Sequence, residues 1–198
     1  LQEAKPSDSK KSEDGALSLL DENDMWSPQS IKGFLSLSAP YNLKAMQTSF
    51  TSHGLDDHLI TRIFGNRANE FDPYQLVMQC QRENRILTGL LPPIRIFHGT
   101  CDKTAPCHDA DRFAKELNKI LGADNVVPLS LYQGWSHTDP ILEGPMDADH
   151  RFHQDLFVAV VQWTNSSGQL TWPDDHPAIK ERLCPHFLIK AGRFCMPF

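Results

Sequence analysis

No stretch of this 198-residue chain is apolar for long enough to cross a bilayer. The longest purely apolar run, Leu156 to Val161, falls far short of the roughly 20 residues that a spanning helix needs. Positive charge is not in excess either. Lysine and arginine number 19 against 25 aspartates and glutamates, and the net charge of −6 supplies no general field for nucleic acid or anionic lipid. Cysteine is sparse and unpatterned. Cys80, Cys101, Cys107, Cys184 and Cys195 are odd in number, repeat no spacing and include no C-x-x-C pair, which argues against a disulfide framework and a zinc site. Cys184 and Cys195 read as two thiols rather than a pair. His53 and His58 do not have the HExxH spacing and have no obvious third ligand, so no metal site is expected. No targeting segment opens the chain, but its first residue is Leu1 rather than Met, so the compartment stays open.

What is present is a globular composition. Hydrophobic residues make up 40% and charged residues 22%, which excludes collagen-like, coiled-coil and wholly disordered chains. Residues 1–30 form a polar surface segment, with KPSDSKKSEDG over Lys5 to Gly15 offering almost nothing to bury. Residues 31–165 carry the structured part. Ile31 to Ala39, between Pro28 and Pro40, reads as a buried strand. Leu55 to Phe64 has apolar residues at helical spacing. Pro73 to Leu87 reads as a helix with Asp72 as its cap and Pro73 at its first position. Leu90 to His98 is a second strand, with its proline pair at the start, where a missing N–H does no harm. A helix from Asp109 to Leu121 is ended by Gly122, Val126 to Tyr132 is a third strand, and Asp149 to Trp163 is a last amphipathic helix. Strand and helix alternating at this spacing predict an α/β fold: a mostly parallel sheet flanked by helices. Residues 166–198 are a proline-rich extension that either wraps the domain through Trp172, Phe187 and Phe198 or hangs loose. An Asn-x-Ser triplet, Asn165 to Ser167, fits a surface loop after the last helix.

In open parallel sheets, ligands bind at the carboxyl ends of the strands, and two such ends are unusually polar. His98-Gly99-Thr100-Cys101-Asp102 follows the second strand, and Gly134-Trp135-Ser136-His137-Thr138-Asp139 follows the third. Both loops lie on one edge of the sheet, so Asp102 and His137 can face each other. A carboxylate that accepts the Nδ1 proton of a histidine fixes its tautomer and supports the imidazolium formed in catalysis. Taken singly, each residue has a plainer reading: an aspartate after a strand caps the next helix, and a loop histidine is solvated. Acid then histidine on successive strand ends is the more specific pattern, and it matches the later part of the α/β-hydrolase triad order.

The runs LPPIRIFHGTCDKTAP, LYQGWSHTDPILEGP and IKGFLSLSAPYNL, with FTSHGL, closely resemble the isoprenylcysteine α-carbonyl methylesterases, serine esterases of the α/β-hydrolase superfamily. The resemblance covers about residues 26–163. By position it implies Asp102 as the triad acid and His137 as the triad base. It further implies a prenylated cysteine methyl ester as substrate, no cofactor, and an endoplasmic reticulum or Golgi membrane location through a region nearer the N-terminus. The chain departs from this family in one essential. It contains no G-x-S-x-G elbow to present a nucleophilic serine, and no HGGG-type loop for an oxyanion hole. Ser18 lacks the second glycine, and Ser36 and Ser38 lie within or at the end of a strand. Leu1 to Lys5 resembles the end of the helix that follows the elbow, so the serine is expected shortly upstream and the chain is expected to be inactive alone.

Two rival functions remain. One is another acyl hydrolase on the same scaffold, arylformamidase-like or a general carboxylesterase. The other is a non-catalytic hydrolase-like protein that binds prenylated peptides. Among the lesser sites, Cys101 adjoins Asp102, whose negative charge works against a nucleophilic thiolate, and is read as packing. His98 is read as a structural hydrogen-bonding residue at the strand end. Asp139 either orients the histidine loop or caps the turn before Pro140. Tyr41, Leu43, Phe50 and Leu55 are read as core in preference to a substrate lid.

Overall fold

The computed structural model describes residues 30–56, 58–122, 125–164 and 182–195. The polar stretch before Ser30, the Asn165 triplet, Trp172 and Phe198 lie outside the described residues. The elements run β1 (Phe34–Leu37), α1 (Leu43–Ser52), α2 (Leu59–Phe64), a 3-10 turn (Gly65–Arg67), α3 (Ala68–Phe71), α4 (Pro73–Arg82), β2 (Ile94–Gly99), α5 (Cys107–Leu121), β3 (Leu129–Tyr132), α6 (Glu143–Met146), α7 (Arg151–Trp163) and α8 (His186–Cys195). The three strands form one sheet in the order β1-β2-β3, parallel throughout, with Ile96 opposite both Ser36 and Leu129. This is the expected α/β arrangement.

Parallel strands are joined by helical crossovers that cover both faces, so adjacent residues of the central strand bury in different cores. On one face Ile96 packs with Tyr41, Val77, Ala110, Ala114 and Leu117, drawn from the β1–α1 connection, α4 and α5. On the other, Phe97 packs with Tyr132, Trp135 and Phe152. Leu43, Phe50 and Ile60 form a smaller cluster, with Leu55 against it, between α1 and α2. Tyr41, Leu43, Phe50 and Leu55 are therefore core, as read from the sequence.

The helix from Pro73 is shorter than expected. Asp72 caps it, with Oδ1 accepting from Gln75 N at 3.0 Å, but it ends at Arg82 rather than Leu87. Asn84 takes a positive φ of 51° and Arg85 N turns back to Cys80 O, which closes the helix with a left-handed residue. Helix α1 escaped the sequence reading. Only Leu43, Met46 and Phe50 mark its apolar side, and the clearest signal is Asn42, whose side chain accepts from Ala45 N at 3.0 Å. In the C-terminal extension the period was missed as well: α8 docks through buried Ile189, while Phe187 is exposed and does not anchor it.

Candidate active site

The two polar loops meet because Gly99 has no side chain. A Cβ there would lie 2.3 Å from Trp135 O and 2.8 Å from Ser136 O, so any other residue would push the second loop away. The contact is sewn by hydrogen bonds from Thr100 N to Tyr132 O at 3.0 Å, Cys101 N to Trp135 O at 2.8 Å, and Gly134 N to Thr100 Oγ1 at 2.8 Å. Trp135, stacked on Tyr132 with ring centroids 4.6 Å apart, fixes the second loop to the core beneath. Gly99 and Trp135 thus set where Asp102 and His137 emerge.

His137 Nδ1 donates to Asp102 Oδ2 at 2.9 Å; the carboxylate is 0% exposed and the imidazole 32% exposed. The two oxygens of Asp102 divide their work. Oδ1 accepts from Thr104 N at 2.9 Å and Ala105 N at 2.8 Å, which makes the tight turn into α5. Oδ2 takes His137 and, at 3.2 Å, His98 Nε2. The turn into α5 and the contact with His137 are therefore made by one side chain. Burial raises the Asp102 pKa, but hydrogen bonds from His137, His98 and Ala105 outweigh it and hold the carboxyl at about 2. It stays ionised at neutral pH without exposure to solvent.

His98 is fully buried, and its Nε2 also lies 2.7 Å from Ala105 O. A carbonyl only accepts, so Nε2 carries a proton. The expectation of a structural hydrogen-bonding histidine is met, and the structure adds its contact with the acid. That contact was missed, although His98 and Asp102 are separated by a turn that closes on itself. Asp139 resolves in favour of orienting the histidine loop. Its Oδ2 accepts from Ser136 N at 2.5 Å and its carbonyl from Gly144 N at 2.7 Å, so it closes the loop around His137 from inside.

Cys101 corrects its sequence reading: it is exposed, not packed. Cys80, Cys107 and Cys184 are free thiols as well. His53 follows α1 with Nδ1 on Ser49 O at 2.7 Å, and His58 precedes α2. Among the described residues, no group of three His, Cys, Asp or Glu is placed to hold a metal ion. Ser36 shares a 2.5 Å hydrogen bond with the Tyr41 hydroxyl, and burial pushes that phenol up to about 12. Ser38 is buried with a φ of 46°. Neither hydroxyl is offered to solvent.

No protein-family model matches the chain. It is 31% identical over 182 residues to a probable isoprenylcysteine alpha-carbonyl methylesterase of Arabidopsis thaliana, covering 87% of this chain and 35% of that protein. It is 29% identical to the isoprenylcysteine alpha-carbonyl methylesterase of the same plant, over 89% of this chain and 40% of the relative. A probable methylesterase of the same name from rice, Oryza sativa subsp. japonica, is 29% identical over 87% of this chain and 40% of its own. The resemblance read from the motifs is borne out, and the chain spans 35% to 40% of the length of these relatives. Among solved structures, the apo form of Thermogutta terrifontis esterase 2 is 26% identical over 55% of this chain and 34% of that chain, with a TM-score of 0.37. The same esterase phosphonylated by sarin is 25% identical over 58% and 39%, with a TM-score of 0.39.

Proposed function

We infer that this relative of the isoprenylcysteine alpha-carbonyl methylesterases carries the acid and the base of a carboxylic ester hydrolase. The observation that carries the reading is the 2.9 Å hydrogen bond between a half-exposed His137 and a fully buried, ionised Asp102. With Nδ1 engaged by Asp102, Nε2 is the nitrogen left to exchange protons. It would take the proton of a seryl hydroxyl as that oxygen attacks the ester carbonyl, and return it to the leaving alcohol. It would then take a proton from water, whose oxygen attacks the acyl-enzyme and releases the acid and the serine. Asp102 stays ionised throughout and supports the imidazolium.

The 198 residues contain no G-x-S-x-G sequence, so the nucleophile in this proposal comes from outside them. The substrate would be the methyl ester of a prenylated C-terminal cysteine, giving methanol and a free carboxylate; this rests on the names of the relatives. The native protein should therefore hydrolyse a farnesylcysteine methyl ester faster than short acyl esters. The reverse preference would favour a general carboxylesterase or an arylformamidase-like enzyme. Prenylcysteine binding without turnover, in a protein with no elbow serine, would favour a non-catalytic binder.

A further inference from the structure

His98 stands at the carboxyl end of β2, fully buried like its hydrocarbon neighbours Ile96 and Phe97. An imidazole there carries a cost that an apolar side chain would not. Its Nδ1 is buried and has no hydrogen-bond partner among the described residues. The compensation sits on the other nitrogen. Nε2 lies 2.7 Å from Ala105 O and 3.2 Å from Asp102 Oδ2, so one N–H is shared between the two ends of the 102–105 turn. Tyr41 stands beside the ring, with centroids 6.4 Å apart, and its hydroxyl is tied to Ser36.

The other ties on the Asp102 carboxylate have a different origin. Oδ1 accepts from Thr104 N and Ala105 N, which belong to the same turn and move with it. His98 approaches from the strand and meets Oδ2, the oxygen that accepts from His137 Nδ1 at 2.9 Å. Placement of this kind matters, because a displacement of about 1 Å at a catalytic group can cost about a hundred-fold in rate. We propose that His98 is a positioning residue for ester hydrolysis: it touches no substrate, and acts through Asp102 by holding Oδ2 in line with His137 Nδ1. The link to turnover rests on the hydrolase reading; the hold on the Asp102–His137 pair does not.

The test is steady-state hydrolysis of a farnesylcysteine methyl ester by the native protein and its His98→Phe and His98→Gln variants, with the proton resonance of His137 Nδ1–H followed by NMR. Phenylalanine keeps the ring volume and removes the donor, whereas glutamine places an amide N–H near the position of Nε2. His98→Phe should lower kcat roughly ten- to a hundred-fold with KM unchanged, and His98→Gln should recover most of the loss. His98→Asn, whose amide stops short of Nε2, should behave as His98→Phe does, and replaces it if the phenylalanine variant fails to fold. In an Asp102→Asn background the loss of the donor should cost little further, since residues that act as one unit are not additive. The His137 resonance should shift or weaken in His98→Phe and return in His98→Gln. Wild-type kcat in His98→Phe overturns the proposal, as does a glutamine variant no better than asparagine, or an undiminished further loss in the Asp102→Asn background. If the wild type turns over no ester, the hydrolase reading fails separately. The resonance then decides whether His98 holds the pair, and an unmoved signal in His98→Phe means that it does not.

Discussion

Asp102 is the residue on which the most depends, because one carboxylate closes the turn into α5 and holds His137. Its pKa of about 2 lies below the ordinary aspartate value, so the folded state binds its proton less readily than the unfolded chain. That contribution, on the order of 2 kcal/mol, is complete above about pH 4 and is lost as pH falls toward 2. An Asp102→Asn variant should therefore be less stable at pH 7 but lose less stability on acidification, which urea unfolding across that range checks. His98→Phe tests the second donor. It leaves Asp102 Oδ2 with one partner and the Ala105 carbonyl with none, and should cost about 1–3 kcal/mol. It should also shift the acid transition to higher pH, which a merely cavity-filling role would not do. The contact between Asp102 and His137 was legible in the sequence because each follows a strand end by a few residues. The role of His98 was not, since a buried histidine at a strand end gives no sign of which atoms it meets.

At the scale of elements, the site is a seam between two loops that only a glycine permits. Gly99→Ala places a methyl group 2.3 Å from Trp135 O, and overpacking of this kind should cost about 3 kcal/mol and separate His137 from Asp102. The expected signature is a lower melting temperature together with loss of the tryptophan near-ultraviolet signal from Trp135; an unchanged signal would contradict it. Asp72 joins α1 to α4, since Oδ1 caps one and Oδ2 accepts from Leu43 N of the other at 2.8 Å. Asp72→Ala should cost about 2 kcal/mol, a cap plus a buried amide, measured by chemical denaturation. The strands and the longer helices were readable from periodicity and caps. Helices α1 and α8 were not, because few of their described side chains are buried and polar residues break the apolar period.

At the scale of the molecule, the sheet has an open side. Phe34 N and Ser38 N bond across to Pro93 O and Phe97 O, so the Leu35 and Leu37 backbone groups point away from β2, where no described strand pairs with them. Phe34, Val158 and Val160 are exposed nearby in β1 and α7. An unpaired edge with apolar neighbours drives association, so the 198-residue chain should self-associate with rising concentration in sedimentation velocity, and Phe34→Lys should weaken this. We propose above that Asp102 and His137 are the acid and base of a hydrolase. It is tested most directly by fluorophosphonate labelling and ester turnover of the native protein beside its His137→Ala and Asp102→Asn variants. The wild type should be labelled, with turnover lower by about a million-fold in the first variant and about ten-thousand-fold in the second. Wild-type rates and labelling in His137→Ala would contradict it.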